Sequence, residues 1–251
     1  MNFNKIADLF VAKYQIKDGV GIISEKVNVI KESAFEERTN LKSIVIPNTV
    51  TKIGKNAFFN CTELTSVRIP DSVTDIGKNA FAFCRKLTSV NIPNSLTKIA
   101  DGVFQFCANL ISITIPNSVT KIGWNAFACC LNLASITIPE SVTEIDDEAF
   151  MACWGLTSIT IPESVTEIGE GVFNECKNLE TVNIKGILKS KECLFHDSSG
   201  DITSPENFDA FYECESLNVI NVPTYMGDYY RQRLPKELQD LVVELPVEKM
   251  I

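Results

Sequence analysis

The chain has a single histidine, His196, within the tetrapeptide Cys193-x-x-His196 followed by Asp197. A thiol and an imidazole at that spacing suggest two chemistries: a Cys/His nucleophile pair, or half of a zinc site. A structural zinc takes four ligands, usually as two such pairs, and no second pair is close in sequence. A nucleophilic cysteine needs a held base and an oxyanion hole, and neither is expected in a polar loop. Asp146, Asp147 and Glu148 form an acidic run without the alternating oxygen-ligand spacing of a calcium loop. No glycine-rich phosphate loop is present, and one histidine would have to serve every catalytic need. The chain is therefore read as a non-enzyme with no cofactor and no metal. An enzyme built on Cys193 and His196 is the most distant alternative.

The remaining residues are organised by a period. Ile-Pro recurs at 46–47, 69–70, 92–93, 115–116, 138–139 and 161–162, each step being 23 residues. Phe35, Phe58, Phe81, Phe104, Phe127, Phe150 and Phe173 keep the same step, and Phe211 follows after an insertion. Cys61, Cys84, Cys107, Cys130, Cys153, Cys176 and Cys214 each come three residues after a phenylalanine. The unit reads L-x-S-[IV]-x-I-P-[NDE]-S-[VL]-T-x-I, followed by [AV]-F-x-x-C. In it, L-x-S-I-x-I predicts a strand, and proline ends it because it has no N–H for the ladder. S-V-T-x-I turns the chain and offers a second short extended piece. No unit can bury its apolar face alone, so units must stack, with strands about 4.8 Å apart.

A period of 20–29 residues with a short strand per unit indicates leucine-rich repeats. The unit resembles the BspA-type leucine-rich repeats of bacterial and protist surface proteins, over residues 20–223. The resemblance implies a right-handed β/α-type superhelix with a parallel sheet on its concave face and few helices. It also implies protein–protein binding or adhesion without enzymatic activity. The leading reading is an interaction scaffold with an unidentified protein partner. The alternative is a surface adhesin for host matrix proteins or glycans.

One domain is expected, with a cap over 1–19, repeats over 20–223 and a second cap over 224–251. Residues 1–13 are expected to be a short helix, and Tyr14–Ile23 a hairpin around Asp18-Gly19. Thr224 is expected to cap a helix reaching about Arg233, and Val242–Leu245 to close the array as a strand. From Ile184 to Val222 the spacing is 38 residues instead of 23. The surplus is placed in an exposed loop at about 187–207, which contains His196. Seven of the nine cysteines fall in one repeat column. They are expected to stack as buried, free thiols that pack as small hydrophobes.

The outward positions of the strand form columns of small hydroxyl-bearing residues. The one singled out for binding runs Arg68, Asn91, Thr114, Thr137, Thr160 and Asn183, and His196 in the inserted loop is a further binding candidate. Trp124 and Trp154 depart from their sibling units and are candidate anchors, since exposed tryptophans are typical interface hot spots. Phe59, Phe83 and Phe106 are expected to pack together beside the main phenylalanine column.

The net charge of -9 argues against a nucleic-acid or anionic-lipid surface. Residues 41–135 hold nine Lys/Arg and four Asp/Glu, whereas 136–180 hold one and ten. This polarity suggests weak head-to-tail self-association. No run of about 20 apolar residues suggests membrane insertion. The absence of a recognisable leader, together with free cysteines, favours the cytoplasm. The family resemblance implies a cell-surface or secreted location instead.

Overall fold

The computed structural model describes residues 14–190 and 210–250. The expected helix over 1–13, and Cys193, His196 and Asp197, lie outside the described residues. What is described is a β-solenoid with two parallel ladders and few helices.

The first ladder comes from the L-x-S-I-x-I segments. Ser43–Val45 pairs in register with Ser66–Arg68, Ser112–Thr114 with Ser135–Thr137, and Ser158–Ile161 with Thr181–Ile184. Partners are 23 residues apart, so identical repeat positions lie side by side. The second ladder comes from S-V-T-x-I. Lys98–Ile99, Lys121–Ile122, Glu144–Ile145, Glu167–Ile168 and Lys189–Ser190 pair successively in parallel, and Val29–Ile30, Lys52–Ile53 and Asp75–Ile76 do the same nearer the start. In Lys52–Ile53, Lys98–Ile99 and Lys121–Ile122 the lysine lies on the outer side and the isoleucine is buried.

A third side closes each rung without a strand. There, Asn56, Phe58 and Asn60 donate their N–H groups to Lys78, Ala80 and Ala82 of the next rung at 2.8–3.0 Å. This crossing needs a left-handed residue at a fixed position, met by Asn56, Asn79, Gly102, Asn125, Glu148 and Gly171. Glycine and asparagine adopt that conformation at least cost.

Between the three sides lies one continuous core. Phe35, Phe58, Phe81, Phe104, Phe127, Phe150, Phe173 and Phe211 stack with ring centroids 5.0–5.8 Å apart and planes within 18°. Each offset pair adds about 0.5–1.5 kcal/mol beyond burial. The seven column cysteines are buried free thiols, and Cys129 is a half-buried one beside them. Each column thiol donates to the carbonyl of the preceding rung's phenylalanine, as from Cys61 to Phe35 at 3.0 Å and from Cys130 to Phe104 at 3.3 Å. The column is thus both packing and hydrogen bonding.

The ends differ from the middle. Tyr14–Lys17 and Val20–Ile23 form the expected hairpin, whose second strand pairs in parallel with Ser43–Val45. Val27, Ile30 and Phe35 occupy core positions as expected. Val242–Leu245 closes the array by pairing with Val219–Pro223.

The capping expected of Thr224 is not what is found. Its N–H is committed to Leu245 at 3.1 Å, and the helix runs over Gly227–Arg231 with no side-chain cap at Met226. Glu244 of the closing strand does this work, accepting from the N–H groups of Tyr225 at 3.0 Å and Gly227 at 2.9 Å. The start of the insertion also moves. Leu188 is buried and Lys189–Ser190 continues the second ladder, so the rung keeps its fold through 190. Tyr229 and Tyr230 hold this stretch: Tyr229 donates to the Leu188 carbonyl at 2.9 Å, and Tyr230 bridges the Gly186 carbonyl and the Leu188 N–H.

Two measurements check the thiol column. Ellman titration of the unfolded, unreduced protein should find all nine thiols, and a deficit of two or more would mean disulfides. Burial pushes the Cys61 and Cys214 thiols from the ordinary value of 9.0 up to about 12. The same desolvation raises the intervening column thiols, from Cys84 to Cys176. Unfolded thiols ionise above about pH 9 while the folded ones stay protonated. Stability should therefore be unaffected by these groups below about pH 9 and fall as pH rises towards about 12. Urea midpoints that stay flat across that window would contradict the burial of the column.

Candidate functional site

The outward face of the first ladder carries two clefts among the described residues. Ser66–Arg68, Ser112–Thr114 and Ser135–Thr137 each bury their central isoleucine or valine and expose the residues on either side of it. Proline then turns the chain, so the following Asn, Asp or Glu stands as a wall beside the strand face. The result is a pair of grooves running along the array. One, of about 790 Å³, is lined by Thr114, Thr137 and Thr160 together with Ser135, Ser158, Asn117, Glu140 and Lys185. The other, of about 670 Å³, is lined by Val45, Arg68, Asn91, Asn48, Asp71 and Ser72 among others.

The structure thus brings most of the predicted column together but gives its members different roles. Arg68, Thr114 and Thr137 are exposed. Asn91 is exposed, yet its amide is committed: Oδ1 accepts from the Ile69 N–H at 2.8 Å and Nδ2 donates to the Ile69 carbonyl at 2.7 Å. The side chain replaces the ladder there, and the strand Ser89–Val90 stops after two residues. Asn183 is not a contact residue. It is only 6% exposed, and it donates to Thr160 Oγ1 at 3.3 Å while accepting from Asn221 at 2.8 Å. Asn183 sits between Thr160 and Asn221 in the same column and hydrogen-bonds to both.

The two tryptophans do not line either groove. Trp124, 49% exposed, stands at the corner after the second ladder, where sibling rungs carry Asp101 and Asp147. Trp154 lies just after the cysteine column, with the Lys177 ammonium 5.8 Å from its ring centroid. Phe59, Phe83 and Phe106 do pack together, at 5.3 and 4.4 Å between centroids, as a half-buried stack on the third side.

Sequence reasoning missed the wall. Asn48, Asp71, Asn117 and Glu140 occupy the position after proline, which reads as an ordinary turn position. Lys185 had a visible signal, because it stands where seven other rungs have proline.

The first ladder's outward charges differ from those of the second. On the second, ion pairs link successive rungs: Lys52 to Asp75 at 2.7 Å and Lys121 to Glu144 at 3.1 Å. Lys78 and Asp101, at the next corner, pair at 2.6 Å. On the first, Lys42, Arg68, Glu163 and Glu180 are exposed, and none forms an ion pair among the described residues. Among the described residues no group of three potential metal ligands is found, and no helix is long and apolar enough to cross a membrane.

The period, the two ladders and the buried cysteine column define a leucine-rich-repeat solenoid. The BspA-type leucine-rich-repeat model matches in six copies over residues 28–153 and 74–202, and the chain belongs to that family. It is similar to the crystal structure of a leucine-rich-repeat protein from T. pallidum, with 30% identity over 66% of this chain and 86% of that one, at a TM-score of 0.58. A leucine-rich-repeat protein from Bacteroides ovatus shares the fold at 24% identity, over 83% of this chain and 69% of that one, at a TM-score of 0.54. No curated protein matches the chain.

The committed amide gives a test. Asn91→Ala leaves the Ile69 N–H and carbonyl without partners, which should cost about 1–3 kcal/mol. Thr114→Ala, one rung on, should change stability by less than about 0.5 kcal/mol. Urea denaturation of both variants compares them, and equal midpoints would remove the structural role assigned to Asn91.

Proposed function

We propose that this chain is a non-enzymatic interaction scaffold whose first-ladder face docks a protein partner. The observation that carries the reading is the groove over Thr114, Thr137 and Thr160, walled by Asn117 and Glu140 and ended by Lys185. Its hydroxyls, amide, carboxylate and ammonium offer donors and acceptors without a nucleophile-and-base pair. The floor residues Thr114, Thr137 and Thr160 stand on strands, so they are held before a partner arrives, which lowers the ordering cost of binding.

Affinity capture from the producing cells, followed by a binding measurement with the purified partner, tests the proposal. Thr137→Arg places a long cation on the groove floor and should weaken binding by about tenfold or more, the scale of an interface hot spot. Cys193→Ser should leave binding unchanged. A partner bound equally by Thr137→Arg would move the docking surface elsewhere. Hydrolytic activity lost in Cys193→Ser would replace the scaffold with an enzyme.

A further inference from the structure

One rung of the array, residues 89–107, is bonded differently from the others. In the second ladder the N–H groups of Thr51, Thr74, Thr120, Thr143 and Thr166 each donate to the carbonyl 23 residues earlier, at 2.8–3.0 Å. Those of Gly54, Gly77, Gly123, Asp146 and Gly169 donate to the isoleucine carbonyl of the preceding rung at 2.8–2.9 Å. Thr97 and Ala100 stand at these two positions, yet their N–H groups donate to no carbonyl among the described residues. Asp75–Ile76 and Lys98–Ile99 do not pair, and the second ladder divides there. The first ladder stays joined across that step, because Ser66–Arg68 pairs with Ser89–Val90 and the Asn91 amide holds Ile69. It divides one step later, between Ser89–Val90 and Ser112–Thr114, where the second ladder is paired. A further division of the first ladder, between Ser135–Thr137 and Ser158–Ile161, has no break in the second ladder beside it. The third side is joined across both steps. Phe81 and Phe83 donate to Val103 and Gln105 at 3.0 and 2.7 Å, and Phe104 and Phe106 donate to Ala126 and Ala128 at 2.9 and 2.8 Å. The rung 89–107 is thus tilted: it holds to the preceding rung through the first ladder, to the following rung through the second, and to both through the third side.

Two substitutions in this rung supply a steric cause. Ala100 stands where other rungs have Gly54, Gly77, Gly123 and Gly169, and a Cβ on those glycines would lie 2.3–2.9 Å from a backbone nitrogen of the preceding rung. Leu96 stands where the others have Val50, Val73, Val119, Val142 and Val165, one methylene smaller. Asp146 also carries a Cβ at the glycine position, but its rung keeps the valine and is held by Lys121, 2.9 Å from Asp146 and 3.1 Å from Glu144, and it still pairs. Crowding at the backbone and overfilling beneath it together hold the ladder apart. A small void lined by Ile76, Ile92, Leu96, Ile99, Val103 and Phe104 lies under the seam.

We propose that this rung is a hinge: it rocks about the third side, opening and closing the seam between Ile76 and Ile99 and the seam between Val90 and Ser112. The ladder hydrogen bonds at Thr97 and Ala100 are already unmade, so further opening breaks none there. Thr97 and Lys98 are exposed and Ala100 is half-buried, so water reaches the seam. The two clefts of the first ladder lie on either side of this rung, one running from Val45 to Asn91 and the other beginning at Thr114. The tilt therefore sets the angle between them. A partner that fits both clefts selects one tilt, and a partner confined to one cleft has no differential affinity for either. The pivot is a property of the backbone and exists whether or not either cleft is filled.

Amide hydrogen exchange and relaxation-dispersion NMR on the full chain test this. Thr97 and Ala100 should exchange about a hundredfold faster than Thr120 and Gly123, their counterparts one rung on, while the third-side amides of Phe81 and Phe83 stay as slow as those of Phe127 and Cys129. Dispersion on the microsecond-to-millisecond scale should appear at Thr97, Ala100 and Ile111 with one shared rate, because a single rocking motion moves both seams. The double variant Leu96→Val/Ala100→Gly should close the second ladder, slow Thr97 and Ala100 to the rates of their counterparts and abolish the dispersion. Ala100→Gly alone should do so in part. Three results in the parent would each overturn the hinge. Thr97 and Ala100 as protected as Thr120 and Gly123 would mean a closed ladder. Fast exchange without dispersion would mean a fixed gap. Phe81 and Phe83 exchanging as fast as Thr97 would mean a rung that unravels instead of pivoting. Dispersion unchanged in a folded double variant would remove the steric cause assigned to Leu96 and Ala100.

Discussion

Residues 23 positions apart must come to rest on top of one another. No rung encloses enough apolar surface to hold itself together, so the leucines, isoleucines and phenylalanines of the core columns are buried by their counterparts in the neighbouring rung. Parallel pairing enforces this, because partners in both ladders occupy the same repeat position. A slip of one residue would turn the isoleucines outward and the hydroxyls inward. The third side depends on the same step, since its N–H groups reach the next rung only where a left-handed residue turns them.

That dependence decides what was legible in the sequence. Periodicity reports contacts between equivalent positions, so the strand, the phenylalanine stack and the cysteine column could all be read from spacing. The column Arg68 to Thr160 was legible for the same reason. Contacts between non-equivalent positions leave no periodic trace. Tyr230 reaches Gly186 across 44 residues and Glu244 reaches Gly227 across 17, each a single event at the end of the array. Asn91 and Asn183 illustrate the difference within one column. Their place was readable, but the hydrogen bonds that commit them come from what is beside each one, Ile69 in one case and Thr160 and Asn221 in the other.

Stacking like on like also sets the chemistry of the interior. The column thiols are surrounded by phenylalanine and leucine, and their hydrogens are used by carbonyl groups. Burial holds them in the protonated form, and a thiol is a nucleophile only as thiolate. Recognition is thereby confined to the outer surface, where neighbouring rungs differ. The second ladder pairs many of its charges along its own length, whereas Lys42, Arg68, Glu163 and Glu180 on the first form no ion pair among the described residues.

The second ladder runs through Ser190, and beyond the additional residues Phe211 lies 5.7 Å from Phe173 and nearly coplanar with it. Both ladders have already passed through this rung by Ser190 or resume at Val219, so neither is interrupted by the additional length. Sequence length and solenoid continuity are uncoupled at this one corner. For an evolving gene it is a site where duplication or insertion need not be purged, and for an engineer it is a splice point at which a foreign segment can be displayed from an intact stack.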